Sequence, residues 1–311
     1  MRTRIILVRH GRSNYNDLGI FQGSSDDSFL TTTGFEMAEK TSIYLAPFEI
    51  NAIYTSPLRR AQQTKDVIHW NSPNRSVSLA LDELREIDLP DWQGLSYQQV
   101  RKEQAEYYQV WKETPQNFQM RSEYPVRDLF DRSRQVWAKI RSQHDGQTVL
   151  IVSHGGTIQS LIATAIGLDE TVFHRMQQSN CGISILSFSS ESNTFAHLES
   201  LNFTQHLGEV LPKLKEGKKG LRELLRVQSH NPNDIAPEID LNPYQNIGLT
   251  TELKTLPIDE ITDRLQKILG PNLTSSSLSL EAEKYVILHH PLALKHSIIQ
   301  SLNLMIPSAH S

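Results

Sequence analysis

Short runs of β-branched and other apolar residues recur along about the first 200 positions, and longer segments with helical spacing lie between most of them. Such runs are typical of strands that are buried on both faces of a sheet. We predict strands at residues 5–8, 52–54, 77–79, 148–152, 183–188 and 194–198. Helices are predicted at residues 33–46, 58–68, 98–111, 126–143 and 157–166. This alternation predicts a three-layer α/β/α sandwich around a mostly parallel central sheet.

Local signals indicate where several of these helices begin and end. Thr33 and Glu36 form a capping-box pattern, so we predict that the first long helix begins at Thr33. Pro57 precedes the next helix, at a position where its missing N–H costs little. Gly167 follows the helix predicted at 157–166 and is expected to end it.

The pattern of the chain changes after Leu201. Polar stretches become frequent there, and they are found at residues 213–219, 231–246 and 272–279. A helix near 258–269 and an apolar segment from 285 to 304 are the structured parts that we predict in this region. We therefore expect one domain at residues 1–205 and a C-terminal extension at residues 220–311.

Composition narrows the possible classes of function. Hydrophobic residues make up 38% of the 311 positions, which is enough for one sizeable core. The net charge of −4 lacks the basic excess of proteins that bind nucleic acids or membrane surfaces. A single cysteine, Cys181, excludes a disulfide framework and argues against a cysteine-based metal site. The first apolar run is too short for a secretion signal or a membrane span, so we predict a cytoplasmic protein.

Two histidines directly follow predicted strands. His10 comes after the strand at 5–8, and His154 comes after the strand at 148–152 and just before a helix. Because the carboxyl ends of adjacent parallel strands lie on one edge of a sheet, where α/β proteins bind ligands, we expect the two side chains to meet. Gly155 would let the backbone approach an anion at the N-terminus of that helix.

Two arginines are predicted to complete a phosphate site. Arg9 precedes His10, and Arg59 follows the strand at 52–54, whereas the adjacent Arg60 is interpreted as a solvated helix residue. Guanidinium groups bind phosphate oxygens in pairs and stay charged at any working pH. His10 could attack phosphorus only as a neutral imidazole, so we expect the Gly11 carbonyl to accept a hydrogen bond from its other ring nitrogen.

A carboxylic acid is also needed to protonate the leaving oxygen. Glu86 and Glu83 are the candidate carboxyl groups, and both lie in one short segment. Nothing in the sequence indicates a cofactor or a metal site, and the His289–His290 pair lacks a carboxylate cluster at ligand spacing.

Four motifs occur in the order found in one enzyme family. They are Arg9-His10-Gly11, the segment 56–61, the segment 84–87 followed by 92–94, and Ser153-His154-Gly155. Over residues 4–200 the chain resembles the histidine phosphatase superfamily, in its phosphoglycerate-mutase-like branch. The resemblance implies that His10 is the nucleophile, that Glu86 is the acid and base, and that the phosphate pocket contains Arg9, Arg59, His154, Asn16 and Gln22.

The segments 84–89, 124–127, 163–168 and 178–182 further resemble the 2-carboxy-D-arabinitol-1-phosphate phosphatases of plants and cyanobacteria. This resemblance implies a metal-independent phosphomonoesterase that forms a phosphohistidine and acts on a small sugar phosphate or phosphorylated acid. Carboxyarabinitol 1-phosphate is the first candidate substrate, and phosphoserine and α-ribazole phosphate are alternatives. The segment at 98–127 is expected to cover the pocket, where Arg121 or Arg127 would bind a second anionic group.

Two further alternatives concern the mutase reaction and the C-terminal extension. A phosphoglycerate mutase is less favoured, because the segment between Glu86 and His154 is shorter than in mutases. A non-catalytic interaction role fits the extension better than the first domain, and it includes contacts within a homodimer. Residues 223–230 resemble 5–10, and residues 286–304 resemble 151–168, so the extension is expected to be a truncated, inactive copy of a phosphatase domain.

Overall fold

The computed structural model describes residues 2–70, 76–189, 195–209, 220–227, 249–271, 273, 285–291 and 298–301. Its strands are β1 (Arg2–Arg9), β2 (Ala52–Thr55), β3 (Val77–Ala80), β4 (Thr148–Ser153), β5 (Ile183–Ser189), β6 (His197–Phe203), β7 (Gly220–Val227), β8 (Leu249–Leu256), β9 (Tyr285–Pro291) and β10 (Ile298–Ser301). Its helices are α1 (Asn14–Leu18), α2 (Thr32–Leu45), α3 (Arg59–Trp70), α4 (Tyr97–Glu103), α5 (Ala105–Glu113), α6 (Pro125–Gln143), α7 (Gly155–Ala165) and α8 (Ile258–Leu269). The predicted polar stretches at 213–219 and 231–246, and nearly all of 272–279, lie outside the described residues.

A six-stranded sheet forms the centre of the structure, with the strand order β3-β2-β4-β1-β5-β6. Strands β1 to β4 are parallel to one another, and β5 and β6 are antiparallel to their neighbours. The apolar runs of β1 and β4 are buried on both faces, which explains why neither sequence alternates between apolar and polar residues. The predicted mostly parallel central sheet is therefore confirmed.

Alternate residues of the central strands pack into two separate cores. On β1, Ile5 and Leu7 face a core closed by α6 and α7, whereas Ile6 and Val8 face a core closed by α2 and α3. Each of these four side chains is fully buried and stabilises the fold by about 1.5–3 kcal/mol. Helices thus cover both faces of the sheet, as the predicted three-layer sandwich requires.

Three predicted boundaries differ from the structure. Helix α2 is capped by Thr31, whose hydroxyl accepts the Gly34 N–H, so the capping box predicted at Thr33 is wrong. The segment predicted as one helix at 98–111 forms two helices, because the backbone leaves the helical conformation at Gln104. Strand β6 begins at His197 and runs beyond the predicted 194–198, part of which lies outside the described residues.

The segment around α4 and α5 packs against an aromatic cluster. Trp92 is fully buried, and its ring lies 5.0 Å from Phe118 and 5.8 Å from Trp111, measured between ring centroids. The Trp92 indole N–H donates to Gln104 Oε1 at 2.7 Å, where α4 ends. This cluster fixes the segment against the loop that follows β3.

The C-terminal region forms a second sheet with the strand order β10-β9-β7-β8. Buried apolar residues of this region, among them Leu225 and Val286, belong to the same continuous core as Ile5 and Leu7. Helix α8 adds Ile261 and the buried leucines of its next turns to that core. No helix among the described residues combines the length and the apolarity that crossing a lipid bilayer requires.

The second sheet repeats the strand arrangement of part of the first. Strand β1 pairs in parallel with β4 and antiparallel with β5, and β7 pairs in the same way with β8 and β9. Helix α7 follows β4 just as α8 follows β8. The counterpart of β4 is therefore β8, and the expected correspondence between residues 286–304 and 151–168 is wrong, because β9 runs antiparallel to β7.

Candidate active site

His10 and His154 lie side by side at the carboxyl edge of the central sheet. The last paired residues of β1 and β4 are Arg9 and Ser153, so the residue after each strand emerges at the same level. The ring centroids of the two histidines are 5.2 Å apart, and both side chains are buried. The predicted meeting of these two residues is confirmed.

The hydrogen bond of His10 fixes which ring nitrogen carries the proton. Nδ1 lies 2.7 Å from the Gly11 carbonyl oxygen, which can only accept, so Nδ1 donates and Nε2 keeps its lone pair. Burial lowers the pKa of His10 well below its usual 6.5, and the charges of Arg60 and Arg9 lower it further. The imidazole is therefore neutral near pH 7, and the expected role of the Gly11 carbonyl as acceptor is confirmed.

His154 is held from the neighbouring strand. Its Nε2 lies 2.7 Å from the Ser56 hydroxyl, while its Nδ1 has no hydrogen-bond partner among the described residues. Burial lowers the pKa of His154 well below 6.5, and the nearby charges of Arg60 and Arg9 act in the same direction.

Arg9 is half-buried, and its guanidinium lies beside the start of α7. Its Nη1 donates to the Gln178 carbonyl at 2.8 Å, and its Nε has no partner among the residues that the structure describes. A Cβ atom at position 155 would lie 3.5 Å from that Nε, so Gly155 leaves the guanidinium open on this side.

The second arginine at this edge is Arg60 rather than Arg59. The Arg59 side chain is exposed, and its backbone N–H donates to Asp26. Arg60 is fully buried, donates to the Gly23 and Ser25 carbonyls at 2.9 and 2.8 Å, and is the charge that most lowers the pKa of both histidines. The interpretation of Arg60 as a solvated residue is therefore wrong.

The rotation of α3 about its axis explains why Arg60, and not Arg59, lies at the site. The sequence contains a signal for this orientation. Arg60, Ala61, Thr64 and Ile68 form the buried face of the helix, at the spacing expected for one side. Arg59 lies about 100° away around the axis and faces solvent. The spacing of Ala61, Thr64 and Ile68 in the sequence therefore indicates that Arg60, and not Arg59, faces the core.

Glu86 joins the loop after β3 to the N-terminus of α7. Its Oε2 accepts the Gly156 N–H at 3.1 Å, and its Oε1 accepts the N–H groups of Ile87 and Thr157 at 2.9 and 3.1 Å. A Cβ atom at position 156 would lie 2.6 Å from Oε1, so only glycine permits this approach. The carboxylate therefore sits where the helix presents free N–H groups.

Asn16 and Gln22 belong to a polar network next to His10. Asn16 Oδ1 accepts from Ser13 Oγ and from Asn180 Nδ2, both at 3.0 Å. Gln22 Oε1 accepts from the hydroxyls of Ser13 and Ser28 at 2.9 and 2.8 Å. The sequence did not predict a role for Asn180, because it lies in a loop and loop residues show no periodic pattern.

A cavity of about 540 Å³ adjoins Glu86. Its wall contains both guanidinium and carboxylate groups, with Arg85, Arg121, Arg132 and Asp128 among them. Arg121 lies in this wall and pairs with Asp91 at 2.7 Å. Arg127 is not in the wall, and its Nε donates to the Gln116 carbonyl at 2.7 Å.

The chemistry of the site is that of an anion pocket. Arg9 Nε, Arg60 Nε and His154 Nδ1 are buried nitrogens without a partner among the described residues, and each such group costs about 1–3 kcal/mol. Oxygen atoms of an anion would satisfy them. In the described part of the chain, no three His, Cys, Asp or Glu side chains form a group suited to a metal ion. Burial raises the pKa of the Cys181 thiol to about 12, which keeps it protonated.

Comparison with known proteins agrees with this geometry. The wheat (Triticum aestivum) 2-carboxy-D-arabinitol-1-phosphatase is 39% identical over 188 residues, which cover 60% of this chain and 37% of that protein. Phosphoserine phosphatase 1 of Hydrogenobacter thermophilus is 28% identical over 206 residues, which cover 66% of this chain and 95% of that protein. The chain spans less than two fifths of the length of this wheat protein and of the similar probable 2-carboxy-D-arabinitol-1-phosphatase of Arabidopsis thaliana.

Solved structures resemble the same part of the chain. The mycobacterial glucosyl-3-phosphoglycerate phosphatase superposes with a TM-score of 0.59 at 26% identity, and the match covers 65% of this chain and 99% of that one. A family model described as the histidine phosphatase superfamily, branch 1, matches residues 5–200, which is more than half of the chain. This chain therefore belongs to the histidine phosphatase superfamily.

Proposed function

We propose that this protein is a phosphomonoesterase that transfers a phosphoryl group onto His10 Nε2 and then onto water. The observation that carries the proposal is the neutral His10, held by the Gly11 carbonyl and flanked by Arg9, Arg60 and His154. A neutral imidazole with a free lone pair is a nucleophile, and the surrounding cations would offset the charge of the phosphoryl oxygens.

In the first step, the Nε2 lone pair of His10 attacks phosphorus and forms the P–N bond while the P–O bond to the leaving group breaks. The leaving oxygen takes a proton from the carboxyl group of Glu86. We assign this proton to Oε2, because that oxygen accepts a single hydrogen bond, from Gly156, whereas Oε1 accepts three. In the second step, the Glu86 carboxylate takes a proton from water, which attacks phosphorus and frees His10.

The phosphate pocket is assigned to Arg9, Arg60 and His154. Each contributes a buried nitrogen without a partner among the described residues, and the three residues lie around His10. Asn16 and Gln22 form the outer wall of this pocket through their network with Ser13. No step of this scheme requires a metal ion or a cofactor.

The proposed substrate is a small sugar phosphate or a phosphorylated acid. Carboxyarabinitol 1-phosphate is the first candidate, supported by the 39% identity to the wheat 2-carboxy-D-arabinitol-1-phosphatase. Phosphoserine is the second candidate, supported by the Hydrogenobacter relative, which matches over 95% of its length. α-Ribazole phosphate and a phosphoglycerate mutase reaction are further candidates, supported by similarity to the adenosylcobalamin/α-ribazole phosphatase of Escherichia coli and to a phosphoglycerate mutase of Cytophaga hutchinsonii.

The test is hydrolysis of a phosphomonoester panel in the presence of a chelator, by the wild type and by His10→Ala. The panel contains carboxyarabinitol 1-phosphate, phosphoserine, 3-phosphoglycerate, α-ribazole phosphate and several sugar phosphates. We expect the substitution to lower kcat/KM by at least about 10³-fold, because the nucleophile is lost. Wild-type enzyme quenched in base should carry a bound phosphate that is stable in base and released in acid, and this phosphate should be absent from the variant.

Two results would contradict the proposal. The first is equal activity of the wild type and His10→Ala. The second is the absence of hydrolysis of every ester by the wild type. Release of inorganic phosphate from 3-phosphoglycerate would favour a hydrolase, whereas conversion to 2-phosphoglycerate would favour the mutase.

We also propose that residues 220–311 form an inactive half-copy of the phosphatase domain. The last residues paired between β7 and β8 are Val227 and Leu256, which correspond to Arg9 and Ser153 of the first sheet. The next residues in the sequence are Gln228 and Pro257, where the first sheet has His10 and His154. A role in homodimer contacts is the function that we assign to this copy.

A further inference from the structure

The loop at residues 178–182 lies against the backbone that carries His10. The side-chain amide of Asn180 donates to the carbonyl oxygens of His10 at 3.0 Å and of Gly11 at 3.2 Å. It also donates to Asn16 Oδ1 at 3.0 Å. The next residue, Cys181, donates its backbone N–H to the Arg9 carbonyl at 3.0 Å. One loop thus holds consecutive residues of the candidate nucleophile segment.

The Gly11 carbonyl is shared between His10 and Asn180. His10 Nδ1 donates to one side of this oxygen at 2.7 Å, and the Asn180 amide donates to it at 3.2 Å. A carbonyl oxygen has two lone pairs, so both bonds can form at once. The orientation of the Gly11 peptide, and with it the direction of His10 Nε2, therefore depends on Asn180.

The loop keeps this conformation although its backbone does not favour it. Cys181 has φ = +52°, a left-handed conformation that is uncommon for residues other than glycine. Contacts hold the loop in place, since the Ser179 N–H donates to Asn202 Oδ1 at 2.6 Å and the Arg9 guanidinium binds the Gln178 carbonyl. A strained backbone that is fixed by contacts on both sides is typical of segments that set functional geometry.

We infer that Asn180 is a positioning residue, which aims the His10 imidazole at phosphorus by fixing the Gly11 carbonyl and Asn16. This inference rests on the proposed phosphatase function. Asn180 itself touches neither phosphate nor leaving group in this scheme. Removal of its donors would leave the Gly11 peptide free to tilt, and a displacement of the nucleophile by about 1 Å can cost about 10²-fold in rate.

The test compares Asn180→Ala with the matched control Asn51→Ala. Asn51 also bonds a backbone group through its side chain, since its Oδ1 accepts the Thr148 N–H at 2.8 Å, but it lies at the opposite end of β4. We expect Asn180→Ala to lower kcat by about 10²-fold with KM changed by less than about threefold. Asn51→Ala should change neither kcat nor KM, even if its Tm falls by as much as that of Asn180→Ala.

Asn180→Asp provides a second variant of nearly the same shape. Near neutral pH its carboxylate faces three acceptor oxygens and should lower kcat at least as strongly as alanine does. Once protonated in acid, the carboxyl group regains one donor, so the activity of Asn180→Asp relative to Asn180→Ala should rise as the pH falls. A purely structural role predicts no such pH-dependent ratio between the two variants.

The tautomer of His10 gives a readout that does not need turnover. Nitrogen NMR of labelled protein should show the Nδ1–H tautomer in the wild type and a mixture of tautomers in Asn180→Ala. The inference is overturned if folded Asn180→Ala keeps both the wild-type tautomer signal and kcat within about threefold of the wild type. If the wild type hydrolyses no ester, the proposed function fails, while the tautomer signal still decides the role of Asn180.

Discussion

The two sheets of this protein share a strand order but differ at their carboxyl edges. After β1 and β4 the chain places His10 and His154, with Arg9 and Arg60 packed around them. After β8, in the same position of the second sheet, the chain places the exposed Pro257. A shared strand order therefore does not by itself produce an anion site, and the residues that follow the strands determine the chemistry.

Beyond the loss of the nucleophile itself, the largest expected effect comes from removing a buried cation from the first edge. Arg60→Ala should lower kcat/KM by about 10²–10³-fold, because the phosphoryl charge loses a preorganised donor. The matched control is Arg59→Ala, which removes an exposed guanidinium from the adjacent position and should leave kcat/KM within about threefold. Steady-state kinetics on the best substrate of the panel measure both. A larger loss in Arg59→Ala would restore the original assignment from the sequence.

The second expected effect concerns the C-terminal region as a whole. A chain that ends at residue 209 keeps every candidate site residue, so its kcat/KM should stay within about threefold of the full-length value. Its stability should fall, because Leu225, Val286 and α8 belong to the continuous core. Each large apolar side chain that loses its cover costs about 1.5–3 kcal/mol. Urea unfolding and light scattering on both chains measure stability and homodimer formation.

Two outcomes of this truncation would contradict the roles that we assign to the two sheets. Loss of activity in a truncated chain that remains folded would assign the second sheet a part in catalysis. An unchanged free energy of unfolding would show that the second sheet does not support the first core.

The smallest expected effect is the pH dependence of stability. The pKa of His10 and of His154 is lowered well below 6.5 in the folded state, and that of His206 is lowered to about 4. The unfolded chain therefore binds more protons below pH 6.5, so stability falls as the pH decreases. Between pH 7 and pH 5 each histidine should contribute up to about 2 kcal/mol of this loss.

Urea unfolding at the two pH values tests this dependence. The variant His10→Asn/His154→Asn should show a smaller loss between pH 7 and pH 5 than the wild type, because two of the three histidines with a lowered pKa are gone. The truncated chain should keep the full dependence, since all three residues lie before residue 210. An equal loss in wild type and double variant would mean that the two active-site histidines titrate normally.

The parts of the structure that the sequence predicts well are those set by continuous burial. The runs in β1 and β4 predict central strands, and parallel pairing then brings His10 and His154 together, because the residues after paired strands emerge at one edge. The Gly11 acceptor follows from the need of His10 for a fixed tautomer. These features depend on local pattern and simple geometry, so a single sequence contains them.

The features that the sequence predicts poorly depend on contacts between distant segments. Arg60 and Arg59 are chemically identical, and only their phase on α3 against the core separates them. Asn180 lies far from His10 in the sequence, and its loop has no periodic pattern. The helix boundary at Thr31 was misplaced because Thr31, Thr32 and Thr33 can each cap a helix, and the contact with Gly34 decides among them.

The order of strands also determines how the site could be inherited. Residues 11–147 lie between His10 and β4, and they carry β2, β3, Arg60 and Glu86, whereas only residues 228–248 separate β7 from β8. Because β2 and β3 occupy one flank of the sheet, this long stretch behaves as a single insertion, whose loss or gain leaves the remaining strand order intact. Glu86 and Arg60 would thus be gained or lost together with this one segment, whereas His10 and His154 lie outside it. If mutation placed histidines after β7 and β8, the second sheet would still lack a counterpart of Glu86 to donate the proton.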